Sequence, residues 1–257
     1  MPRWTAFPHP DKRYVYTEAA LKKQWARLHR GDCEPFPKDK AVAQAWIAYH
    51  AGDFASAYDA GLAAGQAGYN AANKAALIYA NYLESSDKKK LDLLSEVGAR
   101  CEELQAAEPR NANAFYLYAY AMGRYSQGIS ITKALAQGLG GKVRDALQTT
   151  LKLQPKHADA HIAFGAWHAE IIDKVGSMIG GMTYGAKRDE AIRHYEAALE
   201  LNPDSAIART EFADGLVMLD GKKALKRAEQ LYAEAAAIEP ADAMERLDVE
   251  QARSEME

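Results

Sequence analysis

The chain has 257 residues, 48% apolar and 26% charged, with a formal net charge of −3 at pH 7. Those proportions belong to a folded chain with a sizeable core and exclude a disordered one, while the nearly balanced charge excludes the basic field that draws proteins onto nucleic acid. Two cysteines without a C-x-x-C pair exclude a disulfide framework or zinc knuckle, and no apolar run is long enough to span a membrane, so a cytoplasmic protein is expected.

Residues 1–37 read as an irregular, proline-containing segment with one capping helix, Thr17–Arg30, which puts Leu21, Trp25 and Leu28 on one face. Residues 38–240 read as a helical repeat region. "AGDFASAYDAGLAAG" (51–65) is a turn and a helix, and "NKAALIYANYLES" (73–85) pairs with the longer "KKKLDLLSEVGARCEELQAAEP" (88–109). Four endings then recur: "LQAAEP", "LKLQP", "LELNP" and "AAIEP" close at Pro109, Pro155, Pro203 and Pro240. Proline lacks an N–H and disfavours helix in the residue before it, so each ending is a helix stop. A short cap and a new amphipathic helix follow each one, and residues 241–257 read as a C-terminal capping helix.

This unit of helix, turn, helix and proline resembles the tetratricopeptide repeat (TPR), with W-x2-L-G-x2-Y in helix A, A-x3-F in helix B and a period of about 34 residues. The helix-A slots are filled by Phe115, Tyr118, Ala119 and Met122, by His161, Phe164, Gly165 and His168, and by Arg209, Phe212, Ala213 and Leu216. Ala191 with Tyr195, Ala228 with Tyr232 and, less closely, Val143 with Leu147 fill the helix-B slots. The resemblance implies an all-α TPR-like α-solenoid, a right-handed superhelix of about five stacked antiparallel helix pairs. Small residues at Ala119, Gly165 and Ala213 would let a second helix approach closely.

The prolines lie 46, 48 and 37 residues apart, so two repeats carry an inserted extension between helix A and helix B. In the first, Ser130 is expected to cap a short helix through Ile131, Leu135 and Leu139 that Gly140-Gly141 ends; in the second, helix A runs through Trp167, Ile171 and Val175 until Gly180-Gly181 ends it. Neither glycine-rich stretch is a phosphate loop. In "GLGGKV" Ala136 replaces the first Walker glycine, Val143 replaces the hydroxyl, and no strand precedes it. Residues 157–203, with Trp167 two residues after the helix-A glycine, an extended helix A, a glycine loop and a regular helix B, resemble the regulator-of-microtubule-dynamics family and its bacterial relatives. That resemblance implies a TPR-like helical protein whose eukaryotic relatives associate with microtubules or organelle membranes.

No nucleophile elbow, paired-carboxylate arrangement or Cys/His dyad stands out, so the expectation is a non-catalytic protein without a cofactor. His157, His161 and His168 lack an H-E-x-x-H frame and read as capping or packed histidines rather than metal ligands. Helix-A geometry turns Tyr116, Tyr120 and Arg124 toward the concave groove, with Trp46, Tyr49, Asn81, Ala166 and Asp214 at comparable positions. Tyr and Arg favour binding hot spots, so the expected partner is a protein or an extended peptide. The clamp of Lys, Asn and Arg by which TPR receptors take acidic C-termini is matched only by Asn81 and Arg124, and Asp214 has the opposite sign. An alternative is a small apolar ligand in a pocket roofed by residues 124–142 and 169–187 and lined by Met178, Ile179, Met182 and Tyr184. A third is phosphate or phospholipid recognition by Lys142, Arg144, Lys187 and Arg188.

Overall fold

Among residues 4–256, which the computed structural model describes, all regular structure is helical. Most helices start where a short polar side chain accepts one of the unpaired N–H groups of the first turn. Thr17 does this for α1 (Glu18–Leu28), Asp39 for α2 (Lys40–His50) and Asp53 for α3 (Phe54–Ala63). Helix α4 (Tyr69–Tyr82) begins upstream of the expected Asn73 because it grows directly out of a 3-10 turn at Gly65–Gly68 and needs no side-chain cap. Ser86, Asn111 and Ser130 cap α5 (Asp87–Ala107), α6 (Ala112–Gln127) and the short α7 (Ile131–Ala136). After α8 (Leu139–Leu153), His157 caps α9 (Ala158–Val175), and α10 (Ser177–Ile179) is a single turn that runs into a π turn at Gly180–Tyr184. Next come α11 (Arg188–Leu201), α12 (Ala206–Asp220, capped by Ser205), α13 (Leu225–Ala236) and α14 (Ala243–Ser254). Helices α5, α8 and α11 stop just before Pro109, Pro155 and Pro203, as the prolines require.

The chain forms two compact units. One contains the N-terminal segment up to His29, Glu34–Leu139 and Ala241–Met244; the other contains Arg30–Cys33, Gly140–Pro240 and Glu245–Glu257. In the first unit α2 packs on α3, α3 on α4, α4 on α5 and α5 on α6. Gly61 makes the α3–α4 crossing possible, since a Cβ there would lie 2.8 Å from the backbone of Gly68 and Ala72. In the second unit α9 packs on α11 and α12, and α12 on α13. Tyr195 is the filler of that core: its ring stacks on Phe212 with centroids 5.0 Å apart, and a Cβ on Gly165 would come within 2.9 Å of it. The small helix-A residue thus provides room for the helix-B aromatic, which is the packing expected of a TPR pair.

Both insertions differ from expectation at their glycines. Helix α7 ends at Gln137 with Gly138 at φ +64°, and Gly140-Gly141 lie inside α8 rather than ending the short helix. Gly140 is there for close approach: Trp167 Nε1 donates to its carbonyl at 2.9 Å, and a Cβ would lie 3.1 Å from the Tyr184 ring. Helix α9 stops at Gly176, whose φ of +80° suits glycine, not at Gly180-Gly181; the π turn then closes at Gly185, φ +76°. This early stop carries Met178, Ile179 and Met182 into solvent, Met182 being 85% exposed, so these side chains do not enclose an apolar pocket. No helix among the described residues is long and apolar enough to cross a membrane.

Candidate functional site

At about 100° per residue, Asn113, Tyr116, Tyr120 and Arg124 fall within about 80° of the surface of α6. The Tyr116 and Tyr120 ring centroids are 6.3 Å apart, and the Arg124 guanidinium carbon lies 5.8 Å from the centre of the Tyr120 ring. The structure therefore brings these three expected residues together as one ladder. Tyr116 is buried, and Tyr120 and Arg124 are half-buried. By the same periodicity Asn70, Lys74, Leu77 and Asn81 form the matching stripe on α4, with Asn81 half-buried.

Asn70 and Asn113 hold the second position of their helices, and both donate to one carboxylate. Glu34 accepts from Asn70 Nδ2 at 2.9 Å and Asn113 Nδ2 at 2.6 Å, while Trp25 Nε1 donates to the Glu34 carbonyl at 2.7 Å. Pro35 and Pro37 favour an extended backbone here, so a non-helical stretch of the chain presents an acidic side chain to two successive repeats. Sequence reasoning did not find this contact. The available signal was the repetition of asparagine at the same register of two helices.

Trp46 and Tyr49, each 1% exposed, face inward. They join Trp25, His29 and His50 in an aromatic cluster in which Trp46 and Tyr49 meet edge to face at 5.3 Å and Trp25 stacks on His29 at 3.8 Å. His50 Nδ1 lies 2.7 Å from Asp242 Oδ2 and its Nε2 lies 3.2 Å from His29 Nε2. His50 and Asp242 are both 1% exposed, so this pair pins the first unit from within. Asp214 belongs to the second unit and accepts a hydrogen bond from the Tyr232 hydroxyl, whose pKa is raised by burial and by that bond.

The second unit assembles His161, His168 and His194 around Phe164. His161 and His194 meet Nδ1 to Nδ1 at 2.8 Å, His161 Nε2 lies 3.2 Å from the Pro155 carbonyl, and the Lys187 backbone N–H donates to His168 Nδ1 at 3.2 Å. The donors and acceptors dictate the protons. A carbonyl only accepts, so His161 carries its proton on Nε2; its bare Nδ1 then accepts from His194 Nδ1–H. His194 Nε2 is left to accept from Arg193 Nη2 at 3.4 Å. By the same logic His168 carries its proton on Nε2. Neutral rings fit the electrostatics: burial first, then nearby Arg193, takes His168 down to about 4, and burial followed by His161 and Arg193 takes His194 down to about 3.

His168, His194 and Phe164 line an open cleft of about 500 Å³ together with Gln148, Leu151, Lys152, Gly185, Lys187, Glu190 and Arg193. His157 caps α9 by accepting the Ala160 N–H at 3.0 Å. Among the described residues no group of three or more His, Cys, Asp or Glu side chains is placed to hold a metal ion. Of the cations expected around the insertions, Arg188 is committed to Asp220 through bonds of 2.9 and 2.6 Å, and Arg144 to Asp145 and the Tyr184 carbonyl. Burial pushes the Cys33 thiol up to about 11 and the Cys101 thiol up to about 12, so neither is a thiolate at neutral pH.

Residues 47–257 match the family described as Regulator of microtubule dynamics protein 1-3. No curated protein sequence matches. Among solved structures the chain is similar to TTC0263, a thermophilic TPR protein in Thermus thermophilus, with a TM-score of 0.58 and 18% identity over 83% of this chain and 97% of that one. At that identity the likeness speaks for the fold, an all-α TPR-like α-solenoid class. With most of its length matched and its helix pairs packed through the TPR small-residue slots, the chain belongs to the Regulator of microtubule dynamics protein 1-3 family.

Proposed function

We propose that this chain is a non-catalytic, cytoplasmic interaction module whose first unit binds an extended peptide along the stripe shared by α4 and α6. One observation carries the reading: an extended stretch of the chain itself already seats a carboxylate, Glu34, on Asn70 of α4 and Asn113 of α6, from successive repeats. A stripe with that chemistry suits a second extended segment. Beyond the two amides lie Tyr120, Arg124 and Asn81, still partly open to solvent and rich in the residue types that dominate hot spots. Tyr116, the buried member of the ladder, makes the surface beside it rigid, while Trp46 and Tyr49 belong to the packed interior of the same unit. The family description makes microtubule-associated proteins the first partners to test.

Affinity capture from the native host with wild type and with a Tyr120→Ala/Arg124→Ala double variant tests the proposal. Partner recovery should fall in the variant while its helical circular dichroism is unchanged. Equal recovery from two folded proteins rejects this face as the binding site.

A further inference from the structure

We propose that the cleft of the second unit binds a soluble phosphate monoester, held by Lys152 of α8, His168 of α9, and Lys187 and Arg193 at the start and middle of α11. The site is separate from the peptide stripe and does not depend on it. Hydrogen-bond donors gather on its wall beside the apolar Leu151 and Phe164. Lys152, Lys187 and Arg193 bring three positive charges, Gln148 brings an amide, and His168, with Nδ1 already accepting from the Lys187 N–H, has its proton on Nε2. Glu190 is the single carboxylate of the lining and is engaged by Arg193. The remaining excess of positive charge matches a dianion better than a carboxylate, which one guanidinium would satisfy.

Three further features favour this chemistry. Lys187 stands at the N-cap of α11, where the helix end adds partial positive charge. His168 and His194 are held neutral and bonded on at least one nitrogen each, so the rings are fixed in orientation before a ligand arrives. The volume of about 500 Å³ exceeds that of a bare ion and leaves room for the organic part of a phosphorylated small molecule, with Phe164 and Leu151 as the apolar floor.

Isothermal titration of the full chain with glycerol phosphate, inorganic phosphate, glycerol and sulfate, and sedimentation with vesicles containing phosphatidic acid, tests the assignment. The glycerol phosphate should bind more tightly than sulfate, glycerol should not bind, and the His168 ring signals should move in the NMR spectrum. A Lys152→Gln/Lys187→Gln double variant, both sites being exposed, should keep its circular dichroism and lose about tenfold in affinity. The proposal is overturned by silence toward glycerol phosphate, by equal binding of the double variant, or by binding to the vesicles alone, which would place the phosphate on a lipid.

Discussion

Each unit contains a cluster of histidines packed on aromatic rings, and the two are wired in opposite ways. In the first, the line from His29 to His50 ends on Asp242, a carboxylate as deeply buried as the ring it holds. In the second, the line from His161 to His194 runs between a backbone carbonyl and the Arg193 guanidinium, with cations around it. A buried carboxylate demands a partner, so the first cluster is a structural lock. Neutral rings beside lysine and arginine demand nothing further, so the second can face a cleft. What a histidine does is decided by the last group in its hydrogen-bond line.

The largest test of that contrast is Asp242→Ala. Removing one partner of a buried pair leaves the other uncompensated and should cost about 3–5 kcal/mol, read as a fall in the denaturant midpoint. A loss no greater than that of the second-unit variants below would remove the distinction. The next effect is pH dependence in the second unit. Above pH 6.5 His168 and His194 are neutral both folded and unfolded and contribute nothing. As pH falls below 6.5 the unfolded chain takes up protons that the folded rings refuse, so stability declines down to about 4 for His168 and about 3 for His194. A His168→Gln/His194→Gln variant should flatten the unfolding midpoint across that window; an unchanged slope would place the acid sensitivity elsewhere. The smallest effect is expected for His161→Phe, which takes away the acceptor of His194 Nδ1–H at a half-buried site. A cost of about 1 kcal/mol in thermal unfolding is expected, and a cost matching Asp242→Ala would mean the two clusters are equally structural.

Much of the fold is legible in short windows. Asn111, His157 and Ser205 follow the prolines and cap the next helices, and Gly165 sits where Tyr195 needs space. The glycine-rich insertions were legible as punctuation but not in detail. Gly176 and Gly138, with positive φ, stop the helices, while the more conspicuous Gly140-Gly141 and Gly180-Gly181 pairs serve a close approach and a π turn. Of the candidate site, the Tyr116–Tyr120–Arg124 ladder followed from helical spacing. Trp46 and Tyr49 share the helix-A stripe by spacing, yet they lie under α1 residues such as Trp25, a neighbour that periodicity within α2 cannot reveal.

By itself the amino-acid order determined where most helices outside the two insertions begin and end, which residues pair into TPR-like units and which small side chains sit at crossings. These depend on hydrogen bonds and sterics within one or two turns, so they are written in neighbouring residues. Only the tertiary structure decided that Glu34 rests on Asn70 and Asn113, that His161 meets His194 across 33 residues and that His50 meets Asp242 across 192. Such partners are chosen by how the helix pairs pack once formed, and no local propensity distinguishes the histidine that finds a carboxylate from the one that finds an arginine.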